Sequence, residues 1–90
     1  MTCPILTIRV SREFKKSYRK LHSHIQSIAE KKEFWFRNNA FDVRLHTHKL
    51  KGELEGFWSY SVNYSYRVLF RFINDQEVLF YDIGTHDIYK

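Results

Sequence analysis

FWSYSVNYSYRVLFRFINDQEVLFYDI, residues 57–83, is the stretch on which the fold turns. Aromatic and β-branched residues alternate here with serines and arginines at the period of two that extended strands impose. Three strands are read: Phe57 to Tyr64, Tyr66 to Ile73, and Glu77 to Ile83. Asn74-Asp75-Gln76 supplies the hairpin turn between the last two. In the middle strand Val68, Phe70 and Phe72 fall on one face, and Arg67, Leu69 and Arg71 on the other. The apolar trio demands cover. Arg67 is thereby aimed at the opposite face, near the sheet's middle if its strand is central, as a solvated charge, an ion-pair partner of Asp82 or Asp87, or a ligand for an anion.

The cover comes from upstream. Phe14, Tyr18, Leu21, Ile25, Ile28 and Trp35 recur at helical spacing, with Lys and Arg between them, an amphipathic pattern running from about Arg12 to Arg37. One rod of that length would overhang so small a core, so a break near Leu21–Ser23 and a helical hairpin are predicted. Ser11 is placed to cap the first helix and Asn38-Asn39 to stop the second. Ile5 to Val10 alternates as a strand, and Ala40 to Gly52 is irregular. The order is β-α-α-β-β-β: an α+β fold with the hairpin on one face of a mainly antiparallel four-stranded sheet and the other face left free. Ninety residues suffice for one domain, 1–90.

Composition narrows the function. The formal charge is +5, which suits a polyanionic partner such as nucleic acid, an anionic membrane face or an acidic protein. No apolar run approaches the ~18 residues of a membrane span, and the first residues lack the pattern of a signal peptide. The single cysteine, Cys3, has no internal partner and reads as incidental. A reducing, cytoplasmic setting is expected. His46-x-His48 alone is too little for a metal site, so neither metal nor cofactor is expected.

Four ordered pieces of the C-terminal half resemble the RelE/ParE superfamily of bacterial toxins: His48-x-Leu-x-Gly52, Gly56-x-Trp58, Tyr66-Arg-Val-Leu-Phe70, and Gly84-Thr-His-Asp-x-Tyr89. The likeness is greatest to the ribonuclease branches typified by RelE, YoeB and YafQ, and the strand and helix order agrees with theirs. The resemblance implies a metal-independent endoribonuclease that cleaves messenger RNA in the ribosomal A site, the RNA's own 2′-hydroxyl attacking the adjacent phosphodiester. It implies a cognate antitoxin as protein partner, mRNA and the ribosome as targets, no membrane, and operator DNA reached only through the antitoxin.

Such chemistry needs a base, an acid and positive charge on the phosphorane. The resemblance points to His86 as the leading acid/base group and His48 as its second. Arg67 would stabilise phosphate charge with two-pronged contacts, and Tyr89 would stack on a base or assist proton transfer. The bland alternatives are a surface histidine, a loop-ordering histidine, a cross-sheet salt bridge and a tyrosine packed back on the core. Lys49, Lys51, Arg44 and Arg71 are the candidate RNA contacts. His46 reads as a bystander, and His22 and His24 as solvated. The pattern departs from RelE, which has lysines where Trp58 and Tyr60 stand, and Glu53 and Glu55 are out of register with the YoeB glutamate. The rivals are a ParE-like gyrase poison, an inactive antitoxin-binding homologue, and a generic RNA-binding domain using Trp58, Tyr60, Tyr64 and Tyr66 as stacking platforms.

Overall fold

The computed structural model describes residues 4–89; Cys3 lies outside them. The chain runs β1 (Thr7–Val10), α1 (Arg12–Lys20), α2 (Ser23–Asn38), β2 (His48–Lys49), β3 (Trp58–Ser61), β4 (Arg67–Asn74) and β5 (Glu77–Gly84), with short 3-10 turns at Val43–Leu45, Gly52–Leu54 and His86–Tyr89.

The helical hairpin forms where the pattern predicts it. Ser11 Oγ accepts from the Phe14 amide at 2.9 Å and donates to the Tyr81 carbonyl at 2.6 Å, so one side chain both caps α1 and ties it to β5. The helix stops at Lys20, and His22 starts the next by accepting from the His24 amide on Nδ1 at 3.1 Å. His22 therefore has a capping role that its sequence position did not suggest. The Asn39 amide closes α2 onto the Trp35 carbonyl. Between helices and sheet, Phe36 is fully enclosed. It stacks on Tyr60 at 4.8 Å and meets Phe70 and Phe80 edge-on at 5.0 and 5.5 Å, the offset and T-shaped geometries that aromatic rings favour.

The sheet order is β1-β5-β4-β3-β2, which makes β4 central. The sheet has five strands, which corrects the four-stranded expectation; three of its four pairings are antiparallel, as expected, and one is parallel. β1 lies parallel to β5, an arrangement that needs a long intervening connection, here the rest of the fold. The added strand, β2, pairs only His48 with Ser59 and Lys49 with Trp58. Two residues are too few to show alternation, so that segment reads as irregular in sequence.

β5 carries a second departure. Leu69 faces Asp82, but Phe70 faces Phe80, so Tyr81 is an extra residue in β5. This bulge resets the alternation. Val78 and Phe80 reach the core at the ordinary spacing of two, and Ile83, three further on, reaches it as well.

The face away from the helices is less open than expected. Ser59 and Leu69 lie on it and are both buried. The turn His86–Tyr89 folds back over this face: the Tyr89 hydroxyl is 2.6 Å from Ser59 Oγ. Gly84 sits so close beneath it that a Cβ there would come within 2.7 Å of Ile88 Cγ2. Among the described residues no helix is long and apolar enough to cross a membrane.

Candidate functional site

Arg67 is the first residue of the central strand and lies on the face away from the helices, opposite Ser61 on β3 and Gly84 on β5. Its Nη1 donates to Ser61 Oγ. Asp82, one of the two ion-pair partners considered for it, instead accepts from Ser17 Oγ at 2.6 Å and from the Ile83 amide at 2.8 Å.

Arg67 stands in a groove of about 670 Å3 at one end of the sheet, which His48, His86 and Tyr89 also line. Each reaches it from a different direction. His48 comes from the edge strand β2, where its pairing with Ser59 puts it on the Arg67 side of the sheet. His86 opens the turn that follows β5, and Tyr89 closes that turn, the two rings lying edge to face at 5.6 Å. The four candidate catalytic residues thus share one groove, though they span residues 48–89.

His48 is oriented by a backbone carbonyl. Its Nδ1 is 3.0 Å from the His46 carbonyl oxygen. A carbonyl only accepts, so Nδ1 carries the hydrogen, and in the neutral ring Nε2 keeps its lone pair. His46 takes φ +52°, the left-handed region, where it ends the turn Val43–Leu45 and redirects the chain into β2. It also lines the groove. A residue read as a bystander therefore aims the carbonyl that orients His48.

The candidate RNA contacts separate. Arg44 lines the groove, with its guanidinium 3.6 Å from the Trp35 ring centre and its Nε and Nη2 donating to both Asp42 carboxylate oxygens. That grip, together with the Arg44 amide's bond to Asp42, holds the Asp42 carboxyl at about 2. Lys49 follows His48 on the same strand and so faces the opposite side. It shares a different hollow with Phe41, Trp58 and Phe72. Arg71 lies against Phe57, 5.7 Å from its ring centre, and Lys51 is exposed; neither lines the groove.

Lys32 of α2 is a groove cation that sequence reasoning missed, since nothing distinguishes it from the other lysines of that helix. Its Nζ lies 4.1 Å from the centre of the Trp35 ring. Partial burial, with Lys31 and Arg44 nearby, lowers its pKa from the ordinary lysine value. Ser61 was missed for a similar reason: a serine alternating with aromatics marks a strand and not an arginine's partner. Among the described residues, no three His, Cys, Asp or Glu side chains converge as a metal centre would require.

No family model matches this chain, and no curated protein matches it in sequence. Solved structures do. YafQ from E. coli strain BL21(DE3) superposes with a TM-score of 0.72 at 15% identity, covering 91% of this chain and 94% of that one. A YoeB/ParE toxin from Agrobacterium tumefaciens gives 0.75 at 14% identity, covering 90% and 99%. The toxin–antitoxin complex RelBE2 from Mycobacterium tuberculosis gives 0.72 at 21%, covering 89% and 96%. These neighbours are toxins of the RelE/ParE superfamily, the family that the four C-terminal motifs resemble. By its two helices and five-stranded mixed sheet, this chain has the RelE-like fold.

Proposed function

We propose that this chain is the toxin of a type II toxin–antitoxin pair and that its groove cleaves messenger RNA by metal-independent acid–base catalysis. The observation that carries the reading is the meeting of His48, Arg67, His86 and Tyr89 in one groove. Two imidazoles and a permanent cation can supply the base, the acid and the positive charge that transesterification of a phosphodiester needs. His48, with Nδ1–H bonded to a carbonyl, offers Nε2 to take the proton of the 2′-hydroxyl. The 2′-oxygen then attacks phosphorus, Arg67 bears the growing charge on the non-bridging oxygens, and the P–O5′ bond breaks. His86 gives its proton to the departing 5′-oxygen. The products are a 2′,3′-cyclic phosphate and a 5′-hydroxyl, and the two histidines end with their protonation states exchanged.

The setting follows from the same reading. The toxin acts in the cytoplasm on mRNA in the ribosomal A site. An antitoxin with an acidic or amphipathic segment covers the basic surface, and operator DNA is contacted through that antitoxin. The partner is supported by the RelBE2 neighbour, which is a toxin–antitoxin complex. Induced expression should arrest growth and create new 5′ ends within messages. Arg67→Ala and His86→Ala should each relieve the arrest by tenfold or more in colony counts while the protein stays folded. DNA breaks with intact messages would instead indicate a gyrase poison and overturn the assignment.

A further inference from the structure

The aromatic residues of the segment 58–66 have separate fates. Tyr60 is in the core, and Trp58 and Tyr66 pack against it. Tyr64 is 94% exposed, and among the described residues its ring meets no other aromatic ring. A lone exposed aromatic is ordinary on a protein surface, so exposure by itself decides nothing. Its position does. Tyr64 lines the groove that holds Arg67 and His86, and with those two it also borders an adjoining hollow of about 430 Å3 completed by Ser65 and Thr85.

The backbone that presents Tyr64 is fixed. Asn63 Oδ1 accepts from the Ser65 amide at 2.9 Å and from the Tyr66 amide at 2.8 Å. The Val62 and Asn63 amides both donate to the Tyr66 carbonyl. Tyr64 therefore rides on a tight, hydrogen-bonded turn shortly before Arg67, with its exposed ring beside that cation. An unpaired base stacks well on such a face, because every base has one and little side-chain freedom is lost.

We propose that Tyr64 is a nucleobase-stacking residue that receives one unpaired base of single-stranded RNA next to the phosphate held by Arg67. The inference deepens the ribonuclease reading and rests on it. Neither the four C-terminal motifs nor the candidate catalytic set includes this residue, and it contributes affinity and register along the strand without touching the reacting atoms.

The test uses the whole chain and a 2′-O-methyl oligoribonucleotide, which lacks the attacking hydroxyl and so reports binding alone. Tyr64→Ala should weaken binding about tenfold, and Tyr64→Phe, which keeps the ring, should stay within about twofold. A series of oligonucleotides, each with one base removed, should contain one position at which Tyr64→Ala costs nothing more. Unchanged thermal unfolding would show that the variants are folded. Full affinity in Tyr64→Ala, a Tyr64→Phe as weak as Tyr64→Ala, or a loss independent of which base is missing would each overturn the stacking role. If wild type and Arg67→Ala bind the oligonucleotide equally weakly, the groove is not an RNA site, and the ribonuclease reading fails with the inference.

Discussion

Arg44 illustrates how much of a side chain's role lies in its neighbours. Read as a phosphate contact, it is found already gripped by Asp42 and laid over Trp35. Pairing with a carboxylate offsets its charge, and Lys32 and Arg67 are the other two Lys or Arg side chains that line the groove. The Asp42 pKa is held down first by the Arg44 side chain and then by its backbone amide, at about 2 against the usual 3.8. A depressed carboxylate favours the folded state above its unfolded pKa. This contribution is therefore complete above about pH 4 and lost as the pH falls through about 2. Carbon-detected NMR titration should find Asp42 ionising near the lower value, and Arg44→Ala should return it towards 3.8. An Asp42 titrating normally in the intact protein would contradict the pairing. Arg67 as a free-face arginine was legible from alternation alone. The state of His48 was not, because it depends on a carbonyl presented by the left-handed His46, and no local pattern announces that conformation at a histidine.

The elements were legible where they are long and periodic. The hairpin break at Leu21–His22, the Ser11 cap and the three C-terminal strands follow from spacing and residue type, because an amphipathic helix and an alternating strand write their periods over many residues. The first of those strands ends at Ser61 and not at Tyr64, because Asn63 turns the chain there. Short features left no such mark. The two-residue β2 and the Tyr81 bulge are set by pairing with distant strands, as is the return of the C-terminal turn over the sheet. That turn carries both His86 and Tyr89, and its seat depends on Gly84, which has no Cβ to press on Ile88. Gly84→Ala should displace the turn. The expected result is a fall in RNA cleavage of tenfold or more with a loss of stability of only about 1–2 kcal/mol, within the ordinary range for overpacking, read from kcat/KM and urea unfolding on the same protein. Wild-type cleavage by this variant would show that the turn's seat does not position the site.

At the scale of the molecule, the fold divides its labour between the two faces of one sheet. The helix side holds the aromatic core around Phe36, and the other side gathers groups from β2, β4 and the C-terminal turn into a basic groove. A sheet with β4 at its centre gives Arg67 a rigid base, and the edge strand and turn bring the two histidines in from either side. The net charge of +5 suggested a polyanionic partner but could not say which cations converge. Of the four basic residues singled out from sequence as RNA contacts, Arg44 alone lines the groove, while Lys49 is turned away by strand alternation. Whether this groove is a ribonuclease site is read most directly from the chemistry of the cut ends. Purified protein incubated with mRNA, on programmed ribosomes and free, should yield 2′,3′-cyclic phosphate and 5′-hydroxyl termini, and Arg67→Ala and His86→Ala should abolish them. Intact RNA under both conditions, or cleavage undiminished in both variants, would show that the groove is not a ribonuclease site.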